Sequence, residues 1–258
     1  MNLARLGEQD LHREGREHAG KQPVDGPRHG AVAPHQRREA VSGEDLSDAA
    51  FPFGTSREIE IGYARLRASR ITYVGELGWE LHMPLAATAG VYEALMDAGA
   101  GEGIRPVGYR ALESLRLEKG YRAWAADIGP DHTPDEAGLG WAVKLRKNTP
   151  FRGREAVAAQ RASGVNKMLA TFTADASVIL SGRETIYRDG RRVGWLSSAG
   201  YGHSIGRSIG MGYVRNPDGL DRDYVLGGRY ELEVASERVP CEVTLEPLYD
   251  PAMKRVRG

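Results

Sequence analysis

Two carboxylates, Glu76 and Glu80, stand four residues apart in the stretch Tyr-Val-Gly-Glu-Leu-Gly-Trp-Glu-Leu at 73–81. A carboxylate accepts two parallel N–H donors in bidentate fashion, so either can hold the amide–amine edge of a planar heterocycle. Glu80 also alternates with Trp79 and Leu81, and a solvated strand face accounts for it on pattern alone. The second candidate is Arg110 in Gly-Tyr-Arg-Ala-Leu-Glu-Ser-Leu-Arg-Leu-Glu-Lys-Gly at 108–120. On a helix Arg110, Ser114 and Glu118 share a stripe, and a planar guanidinium suits an anion or a ring-stacking contact. An exposed arginine, or an i,i+3 pair with Glu113, explains it equally well.

Other combinations point away from chemistry. The glycine-rich stretch 194–212 contains neither G-x-G-x-x-G nor G-K-[ST], so tight barrel turns are expected there rather than a nucleotide loop. Asp127, Asp131 and Asp135 lack the spacing of a calcium loop and read as caps and turns, with His132 alone among them. No nucleophile elbow or H-E-x-x-H occurs. The single cysteine, Cys241, excludes a disulfide framework and a Cys-based metal cluster; on a late strand it reads as core. Four of the seven histidines (His12, His18, His29, His35) have spacings that match no ligand pattern, so no metal site is expected.

The elements that must position these residues follow from periodicity. Ile59, Ile61 and Tyr63 alternate with charged or small residues, Ile71 and Tyr73 continue in kind, and Trp79, Leu81 and Met83 form a further strand after a turn at 74–78. Residues 86–98 have helical spacing and stop at Gly99, Gly101 and Gly103. Pro106 suits the first turn of a second helix over 106–119, ended by Gly120. Thr133-Pro134-Asp135-Glu136 has the spacing of a capping box opening a short helix, and Trp141–Leu145 is strand-like. Beyond about 165 the chain reads as all-β, with an Asp189-Gly190 hairpin and strands near 192–197, 209–214, 224–234 and 238–245: a small antiparallel barrel.

Composition bounds the rest. The 258 residues can bury a sizeable core. The 35 basic and 35 acidic residues cancel, which argues against a nucleic-acid binder or docking on an anionic membrane. Mean hydropathy is −0.46, and no apolar run reaches the length of a membrane span. Residues 1–42 lack Phe, Tyr, Trp and Ile and show no apolar period; the segment reads as disordered or non-native, and not as a signal or transit peptide. One cysteine makes a reducing, cytoplasmic setting the expectation.

Longer phrases carry a resemblance. REIEIGYARLRASRITYVGELGWELHMP, then GYRALESLRLEKGYRAWAADIGPDHTPDEAGLGWAVKL, then FRGREAV resemble the folate-binding aminomethyltransferase family that includes the glycine cleavage T-protein. The wording is most similar to the C-terminal folate-binding region of dimethylglycine and sarcosine dehydrogenases, from about Gly43 to Pro251. The resemblance implies an α+β chain: a partial aminomethyltransferase-type folate-binding domain over 43–160 and a C-terminal antiparallel β-barrel over 161–258. It implies tetrahydrofolate as cofactor, with a one-carbon unit captured as 5,10-methylenetetrahydrofolate. Any FAD belongs to a missing domain or a partner flavoprotein dehydrogenase chain.

By resemblance Glu80 matches the family's pterin-binding glutamate and Arg110 the arginine that contacts the folate, while Tyr73 and Glu76 belong to the same motif. The family's first subdomain, with its aspartate for proton handling, has no counterpart motif in 1–42, so no catalytic residue is assigned. Three expectations therefore stand side by side: a methylene-transfer module working with a flavoprotein, an inactive truncated remnant, and a folate-binding module without catalysis.

Overall fold

The computed structural model describes residues 41–257. Residues 1–40 and 258 lie outside the described residues, and with them most of the segment expected to be disordered or non-native, including its four histidines. The described chain falls into two compact units, one running to Gly108 and taking in the tail from Met253, the other spanning Tyr109–Ala252.

The first unit is built on a three-stranded antiparallel sheet in the order β1 (Ser56–Ile61), β2 (Ala64–Ser69), β3 (Glu80–His82). Alternation puts Ile59, Ile61, Leu66, Ala68 and Leu81 on one face, where they pack with Leu46, Phe51 and Val91. Val91 lies on α1 (Thr88–Gly99), and the chain leaves the helix through Gly103 at φ +72°. Fully buried Arg70 is held through its two terminal nitrogens, by the carbonyls of Phe51 (2.7 Å) and Arg257 (2.8 Å) and by an ion pair with Asp48. A buried guanidinium needs such partners, since an unpaired one would be strongly penalised.

Three local expectations are corrected here. Tyr63 lies in the β1–β2 turn beside Gly62, at φ +57°, and is fully exposed. Residues 71–79 form an irregular connection rather than a strand, because β2 stops at Ser69 and its remaining pairing is taken by β3. Pro106 lies outside the helix, which begins only at Tyr109; Gly108 would fall in the first turn of a helix begun at 106, and glycine resists helical conformation.

The second unit opens with α2 (Tyr109–Glu118) and continues through α3 (Arg154–Ser163) into a closed barrel of cyclic order β4-β7-β6-β5-β8-β9. Its strands are β4 (Val165–Ala174), β5 (Thr185–Arg188), β6 (Arg191–Gly202), β7 (Arg207–Leu220), β8 (Tyr230–Val234) and β9 (Glu237–Thr244). Closure is made by Thr171, Phe172 and Thr173 opposite Thr244, Val243 and Glu242. Phe172, Ile186, Leu196, Val214, Tyr230 and Leu232 fill the interior. The Asp189-Gly190 turn has both residues at positive φ, as a tight hairpin requires. The segment 224–234 is not one strand, because the short helix α4 (Arg222–Leu226) occupies its first part.

Two further readings change. Gly140–Ala142 is a 3-10 turn and Trp141–Leu145 joins no sheet; the closed barrel offers no free edge for it to pair with. The glycines of 194–212 serve mainly inside strands rather than in turns. A Cβ at Gly194 would lie 2.0 Å from the Tyr213 carbonyl oxygen, and one at Gly212 2.5 Å from that of Trp195. They allow neighbouring backbones to approach, and among these glycines Gly206 alone needs a positive φ. The tail from Met253 ends in a short helix, α5 (Lys254–Arg257), that belongs to the first unit.

Candidate functional site

In the first unit Glu80 begins β3, opposite Ser69 on β2. It is half-buried, with its carboxylate 3.8 Å from His82 Nε2. Tyr73 and Glu76 lie upstream in the 71–79 connection, both half-buried. That connection is shaped by Gly75 at φ +79° and anchored by buried Val74, whose N–H donates to Thr72 Oγ1 at 3.2 Å. Tyr73, Glu76 and Glu80 therefore occupy one short segment of one unit.

Arg110 belongs to the second unit, where it is the second residue of α2 and exposed. Glu113 does not serve as its partner, because it pairs with Arg116. The stripe expected along the helix is real in its other two members. Ser114 Oγ donates to the Tyr201 carbonyl (2.6 Å), and Glu118 Oε1 accepts from the backbone N–H of Ser204 (2.6 Å) and Ile205 (3.3 Å). Both grip the end of the β6–β7 hairpin. Glu118 Oε2 is buried without a hydrogen-bond partner.

Sequence reasoning missed a buried polar network beneath α2. Arg116 and Asp127 are both fully buried and paired at 2.5 Å. Arg116 also donates to the Tyr121 carbonyl (3.1 Å) and to Ser198 Oγ (2.7 Å). Asp127 accepts from Ala123 N–H (3.0 Å) and Ser197 Oγ (2.5 Å), and its carbonyl accepts from the Tyr213 hydroxyl (2.9 Å). Burial and the Asp127 charge push the Tyr213 hydroxyl well above its ordinary value, so it stays a donor. Asp127 is thus more than the turn residue its spacing suggested. The signal available in sequence was an arginine four residues after Leu112, and so on the apolar stripe of an amphipathic helix.

The polar residues of the 131–136 stretch make local structural contacts. Thr133 and Glu136 form the reciprocal capping box, Thr133 N–H to Glu136 Oε2 at 2.9 Å and Glu136 N–H to Thr133 Oγ1 at 3.3 Å, around a single turn rather than a helix. Asp135 is held by Arg161 Nε at 3.0 Å. His132 stacks on Tyr213 with ring centroids 4.5 Å apart. Cys241 lies on β9 against the barrel core, and burial pushes its thiol up to about 12. Among the described residues no His, Cys, Asp and Glu side chains converge in a group able to hold a metal ion. An open cleft of about 610 Å³ lies in the second unit, with Trp141 on its wall and Arg122, Arg161 and Arg222 around it. Asp135 and Glu246 pair with the last two of these arginines.

The architecture defines a class of α+β chain in which an amphipathic helix is tied to a closed antiparallel barrel. Comparison with known proteins gives the family. Residues 24–147 match the GCVT N-terminal domain and residues 167–250 the glycine cleavage T-protein C-terminal barrel domain. The chain belongs to this aminomethyltransferase family. The first match begins inside the segment 1–42.

Sarcosine dehydrogenase of Mus musculus, a mitochondrial protein, is 44% identical over 216 residues, covering 83% of this chain and 24% of that protein. Mitochondrial dimethylglycine dehydrogenase of Rattus norvegicus is 36% identical over 222 residues, covering 85% of this chain and 25% of that protein. The mitochondrial pyruvate dehydrogenase phosphatase regulatory subunit of Mus musculus is 34% identical over 211 residues, covering 77% of this chain and 24% of that protein. The crystal structure of the glycine cleavage system aminomethyltransferase T from Bartonella henselae superposes with a TM-score of 0.65 at 25% identity, covering 76% of this chain and 52% of that one. The chain thus spans about a quarter of the length of these curated relatives.

Proposed function

We propose that this chain is a tetrahydrofolate-dependent one-carbon transfer module, working with a flavoprotein dehydrogenase chain and forming 5,10-methylenetetrahydrofolate. The observation that carries this reading is the succession of both aminomethyltransferase-family domains along one chain, 24–147 then 167–250, in a sequence 44% identical to a sarcosine dehydrogenase. Tetrahydrofolate, when bound, supplies the nitrogen nucleophile that accepts the one-carbon unit.

The residues present fit such a cofactor in chemical type and access. Glu80 is assigned the pterin edge, because a half-buried carboxylate takes paired N–H donors and partial burial strengthens those bonds. Arg110 is assigned an anionic or ring-stacking contact with the folate, its guanidinium exposed at the start of α2. Tyr73 and Glu76 are assigned supporting roles in the Glu80 segment. The protein's task is to orient two reactants, which can contribute much of a rate enhancement without a protein nucleophile. Catalytic proton handling is assigned to no residue here, and the flavin is assigned to the partner chain. A cytoplasmic setting belongs to the same proposal.

Isothermal titration of the purified chain with 5-formyltetrahydrofolate tests this. Saturable binding is expected, weakened at least tenfold, about 1.4 kcal/mol, by Arg110→Ala and by Glu80→Gln. A folded chain that gives no saturable heat overturns the reading. A second reading, a folate-binding module without catalysis, is favoured by one observation: a relative of similar coverage is named a regulatory subunit. Binding without methylene transfer, with the flavoprotein and its N-methyl amine supplied, would establish the second reading over the first.

A further inference from the structure

We propose that the buried Arg116–Asp127 pair is a positioning element for Arg110. It sets the rotation of α2 on the barrel and so the placement of the helix's exposed first turn. The inference rests on Arg110 being a folate contact, but its geometry stands apart from that reading.

Only Arg116, Leu117 and Glu118 of α2 are buried, so the first turn inherits its place from the last. Arg110 lies six residues from Arg116, roughly 9 Å along the axis. Arg116 indexes the helix against three separate elements: Asp127 and Tyr121 in the following loop, Ser198 on β6 and Met211 Sδ on β7 at 3.7 Å. The stripe that carries Arg110 is indexed a second time, by Ser114 on the Tyr201 carbonyl and Glu118 on the Ser204 and Ile205 N–H groups. A helix turned by one residue, about 100°, would break every one of these contacts together.

Stability alone is a poor account of the pair, because well-packed apolar residues often replace a buried ion pair without loss. Leucine and methionine pack without direction. The rigid guanidinium holds its donors in fixed directions, Nη1 on Asp127 and the Tyr121 carbonyl and Nη2 on Ser198, which makes the group suited to setting register.

The test compares wild type with the double variant Arg116→Met/Asp127→Leu, which removes both charges and preserves apolar packing. Thermal midpoint, affinity for 5-formyltetrahydrofolate and hydrogen exchange at the Ser204 and Ile205 amides are measured on the full chain. The expected result, read well below the midpoint where the variant is fully folded, is binding at least tenfold weaker and both amides exchanging at least tenfold faster, whatever midpoint loss follows from stranding the Ala123 N–H and the Tyr121 carbonyl. A merely structural pair predicts that binding and exchange follow the midpoint, and wild-type values for both would overturn the proposal. If the double variant does not fold, Arg116→Lys, which keeps the charge and loses the fork, is read by the same measurements. If wild type itself binds no folate, the functional reading fails, while amide exchange still decides whether the pair indexes α2.

Discussion

Replacing Asp127 by alanine removes one half of a fully buried ion pair and leaves the other in place. Three groups lose an acceptor: Arg116 Nη1, Ala123 N–H and Ser197 Oγ. An uncompensated buried charge typically costs about 3–5 kcal/mol, and each stranded neutral donor adds roughly 1–3 in isolation. Arg116 keeps its bonds to the Tyr121 carbonyl and Ser198 Oγ and its pair with Glu113, whose carboxylate is 37% exposed and screened. The expected loss therefore sits near the low end, about 3 kcal/mol, against a total stability on the order of 5–15. That corresponds to a fall in Tm of roughly 6–12 °C for a unit of this size. Asp127→Asn keeps one oxygen, which in place of Oδ2 still accepts from Ala123 N–H, while its amide N–H donates to Ser197 Oγ, whose own proton stays on the Met211 carbonyl; it should lose less, about 1.5–3 kcal/mol. Urea titration followed by near-ultraviolet circular dichroism measures both. A loss below about 1 kcal/mol for Asp127→Ala would refute the view that Arg116 depends on this partner.

Further outcomes follow from other parts of the structure. Gly212→Ala should destabilise the barrel by about 1–3 kcal/mol through overpacking, since its Cβ would meet the Trp195 carbonyl oxygen at 2.5 Å; Gly190→Ala, at φ +78° in an open turn, should cost about 1 kcal/mol, and equal losses in a denaturant series would contradict the distinction. Burial, followed by the charge of Lys167, lowers the pKa of His132 below its ordinary value. The unfolded chain therefore binds the proton more tightly, so this contribution to stability is intact above about pH 6.5 and is lost as pH falls below it. His132→Phe, which keeps the stack on Tyr213, should flatten that part of the urea-midpoint profile between pH 5 and 7, and an unchanged slope would assign the effect elsewhere. The Cys241 thiol, raised to about 12 by burial, should react with Ellman's reagent only on unfolding; rapid labelling of the native chain would show that β9 opens readily.

Much of the local structure was legible because it depends on neighbours along the chain. Alternation at Ile59 and Ile61, the helical spacing of 86–98 (met by a helix at Thr88–Gly99) with its stop at the following glycines, and the Asp189-Gly190 hairpin all appear close to where their residues place them. Readings failed where a distant partner was needed. Trp141–Leu145 has strand-like residues and no edge to join, and residues 71–73 find β2 already paired. The glycines of 194–212 looked like turn residues because sequence does not show that Tyr213 and Trp195 carbonyls press against Gly194 and Gly212.

The same division runs through the candidate site. Glu80 and Arg110 stand out through motif resemblance, and the sequence by itself determined the family, the mixed α+β class with its antiparallel barrel and the chemistry these side chains can offer. Only the tertiary structure decided that Glu80 is half-buried, that Arg110 is exposed, and that Arg116 finds Asp127 in the interior. The physical reason is that side-chain type and periodicity are properties of a segment. Burial, ion pairing and the clearance between two backbones exist only once segments far apart in sequence have closed around one another.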